Sequence, residues 1–224
     1  MIRIFKFVLF VLWLSVSTAQ AASVAVNSHD ARIWANTKGQ ELIQALAESN
    51  LAAKYAKLDT MLNEDVNLDY ISKFVIGKYA KQMTPEQLAQ YTNLFQRYAL
   101  TLYKQFNLNF DASSVDFSID NVIENKSFAT VNCSVDPTKV FENIRGIKVE
   151  PQIIPVKFKL IRGTKNRIQA VDVEISGVSL VIEYRKRFYE MIKECGDDIN
   201  WFLQRFNDQV VANEKVAYQK LLNR

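Results

Sequence analysis

Side chains able to carry covalent or proton-transfer chemistry are scarce in this chain. His29 is the only histidine among 224 residues and sits in a polar stretch, so a Ser–His or Cys–His nucleophile would depend on it alone. Cys133 and Cys195 are the only cysteines. With one histidine and two well-separated cysteines, a four-ligand zinc site is short of ligands. None of the six glycines falls in the G-x-x-x-x-G-K pattern of a phosphate loop. Glu86 with Glu183, and Asp172 with Glu174, are carboxylate pairs that could be imagined in acid–base work. Each reads more simply as a helix-start charge or as the wet side of a strand. The inventory disfavours an enzyme and contains no metal or cofactor motif.

The residues that remain suggestive lie together in "VDVEISGVSLVIEYRKRF", 171 to 188. Val171, Val173 and Ile175 alternate with Asp172 and Glu174, so the apolar set is expected to face a core and the acids to face water. Gly177 permits a tight reversal because it lacks a Cβ, and Ser179 can cap a helix. Along that helix Leu180, Tyr184, Phe188 and Met191 share one face. At 100° per residue Lys186 points away from it, with Arg185 and Arg187 on the flanks. One reading is a core edge with long side chains reaching to water; the other is a mouth, an apolar interior with basic groups at its opening.

The elements that must position this corner follow from patterning. A composition of 49% hydrophobic and 23% charged residues fits one globular domain with a sizeable core. "MIRIFKFVLFVLWLSVSTAQAA" places Arg3 and Lys6 before an apolar run from Phe7 to Val16 and small residues around Ala21. This is the layout of a signal peptide over residues 1–21, cleaved after Ala21; the run is short of the roughly 20 residues of a membrane span. A single domain would then occupy 22–224. Cleavage leaves 26 basic against 24 acidic residues, scattered rather than striped, which excludes a nucleic-acid footprint. In an exported protein Cys133 and Cys195 could pair or stay free.

Helical spacing runs from Asp30 to Asn50, through Tyr55, Leu58, Met61 and Leu62, and from Leu68 to Gln82. "TPEQ" makes Thr84 an N-cap, with Pro85 at the first helical position and Gln87 completing a capping box, and this helix should reach about Asn107. After Asp111 the period becomes two. Strands are expected around Val115–Ile119, Ala129–Val135, Val156–Leu160 and Ile168–Ile175, with connections at Asn121–Lys126, Asp136–Glu150 and "RGTKNR". Helices follow from Ser179 to about Glu194 and from Asp197, as cap, to the C-terminus. The order predicts an α+β domain, with N-terminal and C-terminal helices packed on one face of a roughly four-stranded antiparallel sheet.

Two stretches resemble the periplasmic phospholipid carriers of the toluene-tolerance or MlaC family. Residues 171–188 look like the family's Asp, Gly-Val-Ser-Leu, Tyr-Arg and aromatic signature. "ISKFVIGKYAKQMTPEQLAQYTNLFQRYALTLY", residues 71 to 103, is similar to its helical half. By position, Asp172, Gly177, Ser179, Tyr184 and Arg185 match the first pattern, and Phe74, Gly77, Thr84, Glu86, Gln87 and Phe95 the second. The cysteine pair is a departure from it, so the resemblance gives a disulfide no support.

The resemblance implies that helices and sheet enclose an apolar cavity holding a glycerophospholipid as cargo, with no cofactor and no metal. It implies a monomeric periplasmic carrier that shuttles lipid between an outer-membrane lipoprotein complex of MlaA type and an inner-membrane ABC transporter with an MlaD-type ring, maintaining outer-membrane lipid asymmetry. Residues expected against the lipid are Phe74, Val75, Tyr79, Phe95, Tyr98 and Leu102 from the helices. Val156, Phe158, Leu160, Val171, Val173 and Ile175 are those from the strands, and Tyr184 and Phe188 those from the corner helix. Arg185 and Arg187 are expected to meet the headgroup or a partner. The alternative is a cell-envelope interaction module whose core is filled.

Overall fold

A computed structural model describes residues 25–105 and 110–222. The expected signal peptide and Asn107 lie outside the described residues; the helix expected to reach about Asn107 closes as an α-helix at Leu102 and tightens into a 3₁₀ turn, Tyr103–Gln105. Seven α-helices and five strands build the described chain: α1 (Ser28–Ala47), α2 (Leu51–Asp65), α3 (Leu68–Ile76), α4 (Pro85–Leu102), β1 (Asp116–Glu124), β2 (Ala129–Asp136), α5 (Thr138–Arg145), β3 (Ile154–Arg162), β4 (Ile168–Ile175), β5 (Val178–Ser179), α6 (Leu180–Glu194) and α7 (Ile199–Leu222). This is the expected α+β class.

Local chemistry sets the helix starts. Asn27, Asn50 and Asn67 each accept a backbone N–H in the first turn of α1, α2 and α3, as short polar side chains do at caps. At α4 the capping box forms as expected: Thr84 Oγ accepts from Gln87 N–H at 3.2 Å and Gln87 Oε1 accepts from Thr84 N–H at 2.9 Å. The helix expected over 68–82 is broken at Gly77, whose φ of +50° favours glycine, and continues as a 3₁₀ turn, Gly77–Gln82. The final helix is capped by Asp198, whose carboxylate accepts from Trp201 N–H at 3.0 Å. Asp197, the expected cap, has φ +61° and accepts the Tyr79 hydroxyl instead.

The sheet is antiparallel in sequence order, with the two-residue β5 added to the four expected strands. The first hairpin turns later than expected, because β1 runs on to Glu124 and Asn125 N–H bonds Phe128 O. The segment Asp136–Glu150, expected as a loop, contains α5, which ends at Gly146 in the left-handed conformation. Val140, Phe141 and Ile144 stand at helical spacing there, but over only eight residues between Pro137 and Gly146. On one sheet face Ala129, Leu160 and Ala170 align, as do Val131, Phe158 and Val173. A bulge inserts Val171 opposite the step from Lys159 to Leu160.

Packing divides the interior in two. Ala31 and Ala35 of α1 lie on Val131, Cys133 and Leu160 of the sheet, and Gly39 allows close approach, since a Cβ there would meet the Phe117 ring at 2.6 Å. The second core belongs to α3, α4, α6 and α7, where Tyr91, Phe188, Phe202 and Phe206 interlock. Phe188 and Phe206 meet edge-on with centroids 4.9 Å apart, a favoured aromatic geometry. Cys133 lies in the first core and Cys195 in the second, both as free thiols, so the pairing left open by the sequence is not made.

Candidate functional site

Between these cores lies an apolar cavity of about 210 Å³. Its walls come from the end of α2 (Leu62), from α3 (Leu68, Ile71), α4 (Phe95, Tyr98, Leu102), β4 (Ala170, Val173) and α6 (Val181, Tyr184), with Val66 between α2 and α3. Two hydrogen-bonded seams hold strand to helices around it. On one side Asn67 N–H donates to Ala170 O at 2.9 Å and Gln169 Nε2 donates to Glu64 O at 3.1 Å. On the other, the Asp172 carboxylate accepts Ser179 Oγ–H at 2.7 Å and Val181 N–H at 3.2 Å. Asp172 therefore does not simply face water, as the alternation suggested; it caps α6 and touches the cavity.

Besides the Asp172 carboxylate, the polar side chains that line the cavity are the phenols of Tyr98, Tyr103 and Tyr184. Tyr98 and Tyr184 meet edge-on at 6.1 Å, and burial pushes both hydroxyls above their ordinary value, with Arg187 pulling the other way. Outward, Leu180 and Tyr184 also line a surface depression of about 420 Å³ with Val178, Glu183 and Arg187. The guanidinium of Arg187 lies 5.9 Å from the Tyr184 ring. The cavity and the depression share Leu180 and Tyr184, so Tyr184 stands between the apolar chamber and the Arg187 and Glu183 side chains at the surface. A larger groove of about 1020 Å³ between α1, α2 and β1 has a mixed lining that includes Gln40, Glu41, Gln44, Lys57 and Asp116. Alkyl chains fit the first chamber better, because polar groups left without water or partner are costly.

Of the residues expected against a ligand, Phe95, Tyr98, Leu102, Val173 and Tyr184 line the cavity. Val75, Tyr79 and Phe188 are packed into the helical core, and Phe74 lies under the Arg185 guanidinium at 4.9 Å. Val156, Phe158 and Leu160 lie in the sheet core with α1, where Trp34 meets Phe158 at 5.9 Å. Val171 is buried outside the lining. Ile175, expected to face a core, is 41% exposed, because it ends its strand beyond the reach of the covering helices. Arg187 lines the surface depression beside Tyr184, whereas Arg185 packs on Phe74 and Tyr189.

Lining residues beyond those expected include Leu62, Val66, Leu68, Ile71, Ala170 and Val181. Ile71 was visible as part of a helical stripe. Val66 belongs to no periodic run; it forms an isolated parallel bridge with Ala170, a pairing no local pattern announces. Among the described residues no group of three or more His, Cys, Asp or Glu could hold a metal ion.

Comparison with known proteins adds three findings. The sequence profile of the MlaC protein family matches residues 37–207. Toluene tolerance protein Ttg2D of Pseudomonas putida is 23% identical over 177 residues, 76% of this chain and 74% of that protein. The crystal structure of a phospholipid-binding protein from Ralstonia solanacearum, in complex with a phospholipid, superposes with a TM-score of 0.58 at 18% identity, covering 81% of this chain and 98% of that one; it shares the fold. With the profile spanning most of its length, the chain belongs to the MlaC family.

Proposed function

We propose that this protein is a periplasmic phospholipid carrier, exported with the loss of residues 1–21, that takes acyl chain into the cavity between β4 and helices α3, α4 and α6. The carrying observation is the cavity itself, an apolar chamber on the boundary of two cores with Arg187 in the surface depression beside Tyr184. Ordinary interiors leave few voids larger than a water molecule. Each acyl CH₂ withdrawn from water is worth about 0.8 kcal/mol, so a diacyl lipid cannot cross an aqueous compartment unshielded. The family and the lipid-bound Ralstonia relative support the same cargo. At about 210 Å³ the chamber is below the roughly 300–1,000 Å³ of pockets that enclose drug-sized ligands. A whole diacyl tail therefore requires the helices to separate from β4.

In this reading the acyl chains pass Tyr98 and Tyr184, and the phosphate stays beside Arg187. The partners are an outer-membrane lipoprotein complex of MlaA type and an inner-membrane ABC transporter with an MlaD-type ring. The carrier contains no nucleotide-binding loop, so direction is imposed by its partners, and the exchange maintains lipid asymmetry of the outer membrane. The test is gentle purification of the mature protein, organic extraction and mass spectrometry. Phospholipid near one molecule per chain is expected; a clean extract would instead favour an interaction module without cargo.

A further inference from the structure

Away from the cavity, two cations converge on one phenol. Arg185 donates from Nη2 to the Tyr189 hydroxyl at 3.1 Å, and its guanidinium lies 5.3 Å from that ring and 4.9 Å from the Phe74 ring. Lys78 Nζ stands 5.7 Å from the same Tyr189 ring and 5.0 Å from Tyr79, while Lys78 N–H donates to the Tyr189 hydroxyl at 3.1 Å. Neither cation belongs to an ion pair among the described residues. The backbone is shaped around the pair: at Gly77, φ +50°, a Cβ would come within 2.2 Å of the Tyr189 hydroxyl and 2.9 Å of Arg185 Nη2.

Two like charges on one shared ring, neither of them in an ion pair, repel each other, and aromatic stacking holds them there; the Asp197 carboxylate at the edge of the cluster accepts the Tyr79 hydroxyl at 3.0 Å rather than pairing with either cation. Burial favours the neutral Tyr189 phenol, yet hydrogen bonds from Lys78 N–H and Arg185, with the two positive charges, hold it below its ordinary value of 10. The local field therefore favours an anion. None of Phe74, Gly77, Lys78, Arg185 or Tyr189 lines the cavity or the depression beside it, so the cargo's phosphate at Arg187 is a separate matter.

We propose that Lys78 and Arg185, oriented by Phe74, Tyr79 and Tyr189, form an anion-binding site that receives a carboxylate from an acidic segment of a protein partner. A planar guanidinium pinned by stacking presents a fixed fork, which suits a carboxylate. Attraction to an anionic bilayer needs no fixed fork and simply accumulates with each nearby basic residue. The site does not depend on the lipid-carrier reading.

The experiment uses the full mature chain and a fluorescent oligoglutamate peptide, followed by anisotropy at low salt. Arg185→Gln and Lys78→Gln should each weaken binding by at least about fivefold, and Arg185→Lys, which keeps the charge and loses the fork, should also weaken it. Lys215→Gln, on an exposed position of α7, should not, and co-purifying lipid should be the same in all variants. If Arg185→Gln does not fold, Lys78→Gln decides, because Lys78 is exposed. Unchanged peptide affinity in Lys78→Gln and the folded Arg185 variants overturns the proposal. So does flotation with phosphatidylglycerol vesicles that these variants abolish while peptide binding persists, which would make the site a membrane contact.

Discussion

The Asp172 carboxylate accepts the Ser179 hydroxyl at 2.7 Å, tying the middle of β4 to the residue that caps α6. The Ser179 oxygen in turn accepts Ile182 N–H at 3.2 Å, so one acid organises the strand, the turn and the first helical N–H groups. Asp172→Ala leaves Val181 N–H and Ser179 Oγ–H without this acceptor. Hydrogen bonds to a charged group contribute about 1.5–3 kcal/mol, and urea unfolding should report a loss of that order.

Cavity and core residues should separate in their effects. Leu102→Glu places a charge at a half-buried position of the chamber wall, where it reaches water in the empty protein but costs several kcal/mol once an acyl chain covers it without a partner. Lipid recovered with the protein should fall by about tenfold or more while soluble yield stays close to wild type. Phe188, 2% exposed among the rings of the helical core, should behave oppositely. Phe188→Ala should cost about 3–5 kcal/mol in unfolding free energy, with lipid content following the folded fraction. Loss of lipid and folding in equal measure for Leu102→Glu would show that its position is ordinary core.

Burial pushes the Cys133 thiol up to about 12, and a thiol that stays protonated is a poor nucleophile. Iodoacetamide at pH 8 should leave Cys133 unmodified in the native protein and alkylate it in denaturant, as read by peptide mass spectrometry. Mild oxidation should not link it to Cys195. A native intramolecular disulfide would contradict the placement of the two sulfurs in separate cores.

Arg97 and Glu214 join α4 to α7 through two hydrogen bonds, 2.9 and 2.7 Å. The arginine holds the glutamate below its ordinary 4.5. A carboxylate whose folded value is depressed contributes stability that is fully present above the unfolded value and lost as pH falls through the folded one. Wild type should therefore exceed Arg97→Gln in urea resistance at pH 7, and the gap should close below pH 4.5. Both side chains are more than a third exposed, so water screens the pair and the gap at neutral pH should be about 1 kcal/mol or less.

Gly77→Ala tests the close approach of backbone to Arg185 and Tyr189. A methyl group there requires both side chains to move and strains a positive φ. Stability should drop by about 1–3 kcal/mol, with a lower thermal midpoint.

Local rules made much of this structure legible. The capping box at Thr84, the turn at Gly177 with Ser179 as cap, and strand alternation over 129–135 and 156–160 all appear where residue type alone requires them. Helix stripes identified Phe95, Tyr98 and Tyr184 as inward-facing. They could not distinguish the chamber from solid packing, because Tyr98 touches both the cavity and Phe206 of the core. Nor does periodicity separate Arg185 from Arg187: they flank one helix face, and only the neighbouring α3 decides which stacks on Phe74 and which is left beside Tyr184. The Val66 bridge escaped because it pairs residues distant in sequence, and α5 because its apolar spacing spans only eight residues between a proline and a glycine.

The chamber sits on the border between two solid bodies rather than inside either. A void carved into one close-packed mass can grow only by breaking that mass's own interlocking. Here the seams between the two bodies are a few hydrogen bonds at Asn67, Gln169 and Asp172, while Phe188, Phe206 and the α1–sheet contact lie outside the lining. The arrangement works like an expansion joint in masonry: volume can be taken up or given back at the gap, and the blocks on either side stay whole.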